Sequence, residues 1–182
     1  SVDALDFEPQ RFISNFILAI ANRFPQVGQR SLTALQNTTA SLDVDYIAGV
    51  LINDLFDNIS EHFVVVVDDF HLVAENNQIK SFISRFIQDV DENCHVVLTS
   101  RTLLAMPVIT LMAARGDVTG LDFEELAFRA DEIIQLYHQN QEITLTQPEA
   151  DEIQEKTEGW ITGILLVSHT NLKRPIGRPW LG

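Results

Sequence analysis

The chain contains 182 residues, 46% of them hydrophobic, and its 12 basic and 26 acidic side chains give a formal net charge of −14. This apolar content suffices for a packed core and excludes wholesale disorder. Because nucleic-acid affinity depends largely on Lys and Arg neutralising phosphates, we expect no direct nucleic-acid binding by this chain. The longest fully apolar stretches, such as Phe63 to Val67, are far too short to cross a bilayer, which argues against membrane contact.

The cysteine content and the first residues bear on the compartment. Cys94 is the single cysteine and lies within an apolar run, which is typical of a buried, unreactive thiol in a reducing environment. The opening Ser1-Val2-Asp3 lacks the basic region of a signal peptide. Both observations predict a cytoplasmic protein.

The first sixty residues predict mainly helices. Ser1 to Asp6 alternates small, apolar and acidic residues, which indicates the end of a strand. Apolar residues at helical spacing from Phe12 to Phe24 predict a helix ending near Pro25. Residues 26–42 are rich in Gln, Ser, Thr and Asn and predict a loop. A second amphipathic helix should carry on one face Ile47, Leu51, Leu55 and Ile59.

The middle of the chain alternates strands and helices. Phe63 to Val67 is an unbroken, largely β-branched run, which predicts a strand buried on both faces as in a parallel sheet. An amphipathic helix from Ile79 to Val90 follows, then a second buried strand from His95 to Ser100 and a weaker candidate strand from Val118 to Phe123. This rhythm predicts an α/β fold with a parallel sheet and right-handed crossovers.

The last fifty residues predict helices only. Helices should begin at Asp131 and at Gln147, the latter stopping at Gly159, and a third should run from Trp160 to Leu172. We therefore predict an α/β core over residues 1–129, a helical lid subdomain over residues 130–172, and a linker or truncated tail over residues 173–182.

Polar residues follow both predicted core strands. Asp68 and Asp69 end the first, and Thr99, Ser100 and Arg101 end the second. Ligands of parallel sheets lie beyond the carboxyl ends of strands, where an acidic pair is costly unless it meets a cation such as Mg²⁺. Taken alone, the acidic pair is as typical of turn capping as of a metal site. The arginine alone is more typical of an ordinary surface residue. Their conjunction predicts a Walker B arrangement whose arginine contacts a terminal phosphate.

Four motifs extend this prediction to a family. Phe63 to His71, Leu98 to Arg101, Ala114 to Asp117 and Thr157 to Gly163 stand in an order and spacing that resemble one group of P-loop ATPases. These are the STAND-class (signal transduction ATPases with numerous domains) domains of LuxR-type transcriptional regulators, the group typified by the maltose-regulon activator. The resemblance covers nearly the whole chain up to about Leu172.

The resemblance implies a fold, ligands and residue roles. The fold would be a three-layer αβα P-loop NTPase fragment of the RecA/AAA type with a helical lid, and ATP and ADP would set the two states of a switch. Asp68 would serve Mg²⁺, Asp69 would position the attacking water, and Arg101 would sense the γ-phosphate, beside Thr99 and Ser100. Gly159 and Trp160 would match a lid motif near the adenine, although Trp160 also suits a core aromatic. The partners would be other domains of a parent regulator.

The chain departs from that family at one essential motif. It contains no G-x-x-x-x-G-K-[ST] loop, and the nearest approach, Gly28-Gln29-Arg30-Ser31, lacks the Lys and has Arg23 at the place of the first glycine. The family's loop would lie upstream of Ser1, on a strand that is normally central in the sheet. We therefore expect weak or absent ATP binding, uncertain hydrolysis, and an exposed apolar sheet surface that invites self-association.

Three other function classes fit parts of the sequence. A phosphorelay receiver also has an acidic pair after a strand, but its phospho-accepting Asp should stand where Thr99 and Ser100 stand. A metal hydrolase could use Asp68, Asp69 and His71, although the histidines show no HExxH-like spacing. A non-enzymatic interaction or autoinhibitory module is the strongest competitor, since apolar and acidic surfaces suit docking.

Overall fold

The computed structural model describes residues 1–37 and 42–171. It is a mixed α/β structure, mostly helical, with a small parallel sheet. The chain divides into two compact units, Ser1–Val118 and a second that begins at Thr119. The sequence placed a domain boundary at residues 129 and 130, eleven residues later.

The elements of the first unit alternate helices with two strands. In chain order they are a 3-10 turn at Ala4–Phe7, α1 (Pro9–Arg23), α2 (Gln29–Gln36), α3 (Val44–Asn58), β1 (Phe63–Val67), a 3-10 turn at Phe70–Leu72, α4 (Asn77–Asp89), β2 (Cys94–Leu98) and α5 (Pro107–Arg115). The described part of the second unit contains α6 (Phe123–Leu126), α7 (Ala130–Gln141), α8 (Gln147–Thr157) and α9 (Ile161–Asn171). The helices predicted around residues 12–24, 47–59 and 79–90, and those predicted after Ala130, are confirmed.

An aromatic and aliphatic core holds the first unit together. α1 begins with Pro9 in its first turn, where the missing N–H costs nothing, and buries one apolar face. On that face the Phe16 ring packs edge-on against Phe82 and Phe86 of α4, with centroids 5.4 and 5.0 Å apart. Such edge-to-face pairs add to the burial of the rings themselves. Cys94 is also buried, as its apolar neighbours in the sequence indicate.

The sheet is a parallel pair with one covered face. β1 and β2 pair from Phe63 with Cys94 to Val67 with Leu98, and α4 connects them along the chain. The predicted burial of the strand on both faces is wrong, since Val64 and Val66 are 57% and 60% exposed. Alternate side chains of a strand point to opposite faces, and in the described residues only the face carrying Val67 packs on the core.

Two predictions for other segments are also wrong. Ser1 to Asp6 is not a strand end: the Asp3 carboxylate accepts the Leu5 N–H at 2.7 Å and starts a 3-10 turn, although the Val2 N–H donates to the Asp68 carbonyl. The weak candidate strand from Val118 to Phe123 is not a strand, and α6 begins at its end with Asp122 as N-cap. Local capping outweighs weak strand propensity in both places.

The predicted loop over residues 26–42 contains helix α2, and residues 38–41 lie outside the described part. Gly28 precedes this helix at φ 97°, a conformation that favours glycine. Ser31 and Leu35 are buried on its inner side. Only these two side chains of α2 are buried, so the helix shows little hydrophobic periodicity in a segment of mostly polar composition.

The second unit is a small helical bundle with its own core. Ile133 and Tyr137 of α7 pack with Ile153 of α8 and Ile164 of α9. α6 contacts this bundle through Phe123, whose ring centroid lies 5.7 Å from that of Trp160. The predicted tail over residues 173–182, and Leu172 at the predicted end of the last helix, lie outside the described residues.

Candidate functional site

The carboxyl ends of β1 and β2 form one edge, where the acidic pair meets the residues after β2. The Thr99 hydroxyl donates to Asp68 Oδ1 at 2.6 Å and accepts the Asp69 N–H at 3.0 Å. The backbone continues this pairing, since the Phe70 N–H donates to the Thr99 carbonyl at 2.9 Å. The parallel register therefore fixes the acidic pair against Thr99.

Asp69 is the centre of a second set of contacts at this edge. It adopts a left-handed backbone conformation at φ 60°, which Asp tolerates better than most residues. Its Oδ2 accepts the Ser1 hydroxyl at 3.2 Å, and its Oδ1 lies 3.8 Å from Arg101 Nε and 3.8 Å from His71 Nδ1. The carboxylate thus stands between two cationic or potentially cationic groups.

The sequence named His71 beside the acidic pair only as a possible metal ligand, and it gave no indication of Ser1. His71 Nδ1 is buried and has no hydrogen-bond partner among the described residues. The available signal for His71 was its position two residues after the acidic pair, in the 3-10 turn at Phe70–Leu72. Ser1 gave no signal, because its contact with Asp69 joins residues 68 positions apart.

The electrostatics favour an ionised Asp68. The hydrogen bond from the Thr99 hydroxyl is the largest cause that holds the pKa of Asp68 below its usual value. Hydrogen bonding to the charged form of a carboxyl favours that form. Arg101 is 81% exposed, so water screens its attraction to Asp69.

Three further predicted site residues do not join this cluster in the described contacts. The Ser100 hydroxyl donates to the Thr102 carbonyl at 2.6 Å and is used in its own turn. Gly159 and Trp160 belong to the second unit. Gly159, at φ 76°, follows the C-cap of α8, and its carbonyl accepts the Phe128 N–H at 2.9 Å, so it has a structural role there.

The nearest approach to a phosphate loop has a structural role. The Gly28 N–H donates to Asp54 Oδ2 at 2.7 Å, and Arg30 Nη1 lies 3.6 Å from Asp57 Oδ2. A phosphate loop offers its amides to an anion, but here a carboxylate already occupies that position. The segment therefore anchors α2 to α3, as its missing Lys suggests.

The space at the edge is small. A cavity of about 70 Å³ lies beside it, lined by residues that include His71, Lys80 and Met106. Pockets for small molecules typically hold about 300–1,000 Å³. No group of three or more metal-ligating side chains occurs in residues 1–37 and 42–171, so any divalent ion at Asp68 would need ligands from a bound molecule or water.

Comparisons with protein-family models and with curated proteins find no match to this chain. None of the helices in the described residues is both long and apolar enough to span a bilayer.

Proposed function

We propose that this chain is the Walker B and sensor segment of an ATP-dependent signalling switch of the STAND class, from a LuxR-type regulator in the cytoplasm. The supporting observation is the hydrogen bond between Thr99 and Asp68, with Arg101 beside Asp69. It unites the ends of two adjacent parallel strands in one polar edge. In P-loop ATPases the same two strand ends face the terminal phosphate. A three-layer P-loop fold belongs to the same proposal.

Mg²⁺ fits this edge only together with a nucleotide. Asp68 is exposed and its pKa is lowered, so it offers an anionic oxygen of the kind Mg²⁺ prefers. Mg²⁺ is commonly held by one or two carboxylates plus phosphates and water, which suits an edge where the Thr99 hydroxyl holds the Asp68 carboxylate. Bound there, the ion would neutralise phosphate charge; Asp69 would orient the water, and Arg101 would contact the γ-phosphate.

The missing phosphate loop and the net charge explain why the chain should bind ATP weakly. Backbone amides and a Lys supply most of the phosphate contacts in a P-loop, and this sequence lacks that motif. The net charge of −14 adds repulsion toward a polyanion. Turnover should be very slow, because positioning and charge neutralisation provide most of the catalysis of phosphoryl transfer.

A titration followed residue by residue tests the proposal. Isotope-labelled chain is titrated with Mg-ATP to about 10 mM, which is about ten times a dissociation constant of 1 mM. We expect saturating amide shifts at Asp68, Asp69, Thr99 and Arg101, reduced by Asp68→Asn but not by the exposed control Asp117→Asn. Shifts spread over the surface, or none at this edge, would overturn the proposal. Micromolar affinity would contradict the expected weakness.

The exposed sheet face supports a second candidate, a non-enzymatic interaction module that self-associates. Val64, Val66 and Val97 are 57%, 60% and 44% exposed on one face of β1 and β2. Contiguous exposed apolar surface is typical of interaction sites. Sedimentation should show a concentration-dependent increase in mass that Val66→Lys abolishes and Leu103→Lys, at a residue 99% exposed elsewhere, leaves intact. Indifference of this association to Mg-ATP would favour the module over the switch.

A further inference from the structure

The second unit contains an open groove of about 570 Å³ that the proposed switch does not use. Its lining combines Phe123 and Ala127, from α6 and the residue after it, with Glu155 and Glu158 at the end of α8. The volume is within the range of a ligand site, and the groove is open enough for the side chains of another protein. Because apolar side chains lie beside carboxylates, an occupant of the groove should combine apolar and cationic groups.

The groove carries strong negative charge. Asp151 and Glu155 are four residues apart, which places them along one face of α8, Glu158 follows the end of that helix, and Glu124 adds a fourth carboxylate. Arg129 is the single cation among the lining residues. In the described part of the chain, ion pairs involve none of these five side chains. The groove therefore favours a cationic occupant and disfavours phosphates.

Aromatic surface borders the same groove. Phe123 is 43% exposed and Trp160 is 58% exposed, with their rings in contact. Leu126, one turn along α6 from Phe123, is 62% exposed. Aromatic faces attract Lys and Arg as well as apolar groups, and exposed aromatics of this kind often anchor interfaces.

The groove is preformed by a backbone contact. The Phe128 N–H donates to the Gly159 carbonyl, which ties the segment after α6 to the end of α8. The approach is close, since a Cβ on Gly159 would lie 2.7 Å from the Phe128 carbonyl oxygen. Because the two walls are already held together, a partner need not order them on binding.

We propose that this groove binds a basic amphipathic helix of a partner protein. Its apolar residues would lie against Phe123 and Ala127, and its Lys or Arg residues would pair with Glu155 and Glu158. A helix presents side chains at intervals of three and four residues, which suits the four-residue spacing of Asp151 and Glu155 on α8. The proposal is independent of nucleotide binding at the sheet edge, which involves residues of the first unit.

Calorimetry with synthetic peptides tests the inference. The probe is a helix of about four turns with Leu on one face and Arg on the other, and a scrambled peptide of the same composition controls for charge alone. We expect Glu155→Lys/Glu158→Lys to weaken binding at least about tenfold. The matched control Glu92→Lys/Asp117→Lys makes the same change in net charge at exposed positions outside the groove and should change binding less than about twofold.

A charge-swapped probe guards against misfolding of the double variant. The same peptide with Glu in place of Arg should bind Glu155→Lys/Glu158→Lys more tightly than the unmodified chain. Equal weakening by the control variant, equal binding of the scrambled peptide, failure of the charge swap, or no binding at about millimolar peptide would each overturn the proposal.

Discussion

The completely buried large side chains of the first unit include three phenylalanines, Phe70, Phe82 and Phe86, beside a group of isoleucines. In the second unit the fully buried large side chains of the described residues are Ile133 and Ile164. Local devices therefore carry a larger share of the structure in the second unit than in the first. Glu125 accepts the Asp122 N–H, Glu149 accepts the Thr146 N–H, and Glu158 and Gly159, both with positive φ, follow the end of α8.

The difference teaches where each unit is vulnerable. A large apolar core loses most when a buried ring is removed, since transfer and cavity costs add. A small bundle loses most when a turn or a close backbone approach is disturbed, because little buried surface remains to compensate. Two probes separate the units. Burial raises the pKa of the Cys94 thiol to about 11, so thiol labelling reports opening of the first unit. Trp160 fluorescence, in a Trp180→Phe background, reports the second.

Truncation of a core ring should give the largest effect. Phe82 is fully buried and packs edge-on against Phe16. We expect Phe82→Ala to lower the free energy of unfolding by about 3–5 kcal/mol. Denaturant unfolding followed by Cys94 labelling measures this loss. Phe56→Ala, at a ring 70% exposed, is the control and should cost far less. A similar loss in both variants would mean that the buried cluster is not the source of stability.

Gly159→Ala should give the next largest effect, and in the second unit. Gly159 has φ 76°, and a Cβ there would lie 2.7 Å from the Phe128 carbonyl oxygen, a backbone atom that cannot easily move. Gly116→Ala is a matched control with φ 80° and nothing within 4 Å of its Cβ. The control should cost about 1–2 kcal/mol from backbone strain alone, and Gly159→Ala at least about twice that. Trp160 fluorescence during denaturation follows the second unit, and Cys94 labelling follows the control.

An equal cost at the two glycines would show that the contact between Gly159 and Phe128 contributes nothing beyond the backbone conformation. Equal shifts of both probes in the Gly159→Ala variant would show that the two units unfold as one, which would remove the contrast between them.

Hydrophobic periodicity gave the main helices correctly. α4 has apolar residues at each helical interval from Ile79 to Phe86, and all of them are buried. α2 was missed because its anchors, Gly28 and the buried Ser31, act through tertiary contacts that composition does not reveal. The strand run from Phe63 to Val67 was recognised. Its unbroken apolar character predicted burial of both faces, whereas the missing phosphate-loop strand predicted exposed apolar sheet surface, and Val64 and Val66 are exposed.

The edge of the sheet was predictable in part. Two parallel strands joined by one helix bring their carboxyl ends together, so the meeting of Asp68 with Thr99 followed from the order of elements. The turn of Ser100 toward Thr102 and the contact of Ser1 with Asp69 did not, because each depends on the path of a loop. Roles for these residues stay predictions.

Removal of a buried carboxylate should have a smaller effect than Phe82→Ala or Gly159→Ala. Asp54 is 3% exposed and accepts the Gly28 N–H at 2.7 Å. We expect Asp54→Ala to lower the free energy of unfolding by about 1–3 kcal/mol, because it leaves a buried donor unpaired. Asp57→Ala, which removes the exposed partner of Arg30, should cost under about 0.5 kcal/mol. Cys94 labelling again provides the measurement, and equal costs would mean that α2 is held by its apolar contacts alone.

The smallest expected change is a shift of one titration at the sheet edge. Asp68 should titrate below its usual value of 3.8, and Thr99→Val should raise this pKa because it removes the largest cause of the depression. Carbon-13 NMR of the Asp68 carboxyl measures both values. Thr102→Val is the control, since in the described residues the Thr102 hydroxyl contacts Ser100 rather than Asp68.

The sign of the pH dependence follows from that depression. A carboxyl whose folded-state pKa is lowered adds stability that is fully present above its unfolded value, near 3.8, and is lost as the pH falls through the folded-state value. The unmodified chain should therefore lose stability below pH 3.8 more steeply than Thr99→Val. Identical Asp68 titrations in the two chains would show that Thr99 and Asp68 are not hydrogen-bonded in solution, and the proposed nucleotide edge would lose its supporting contact.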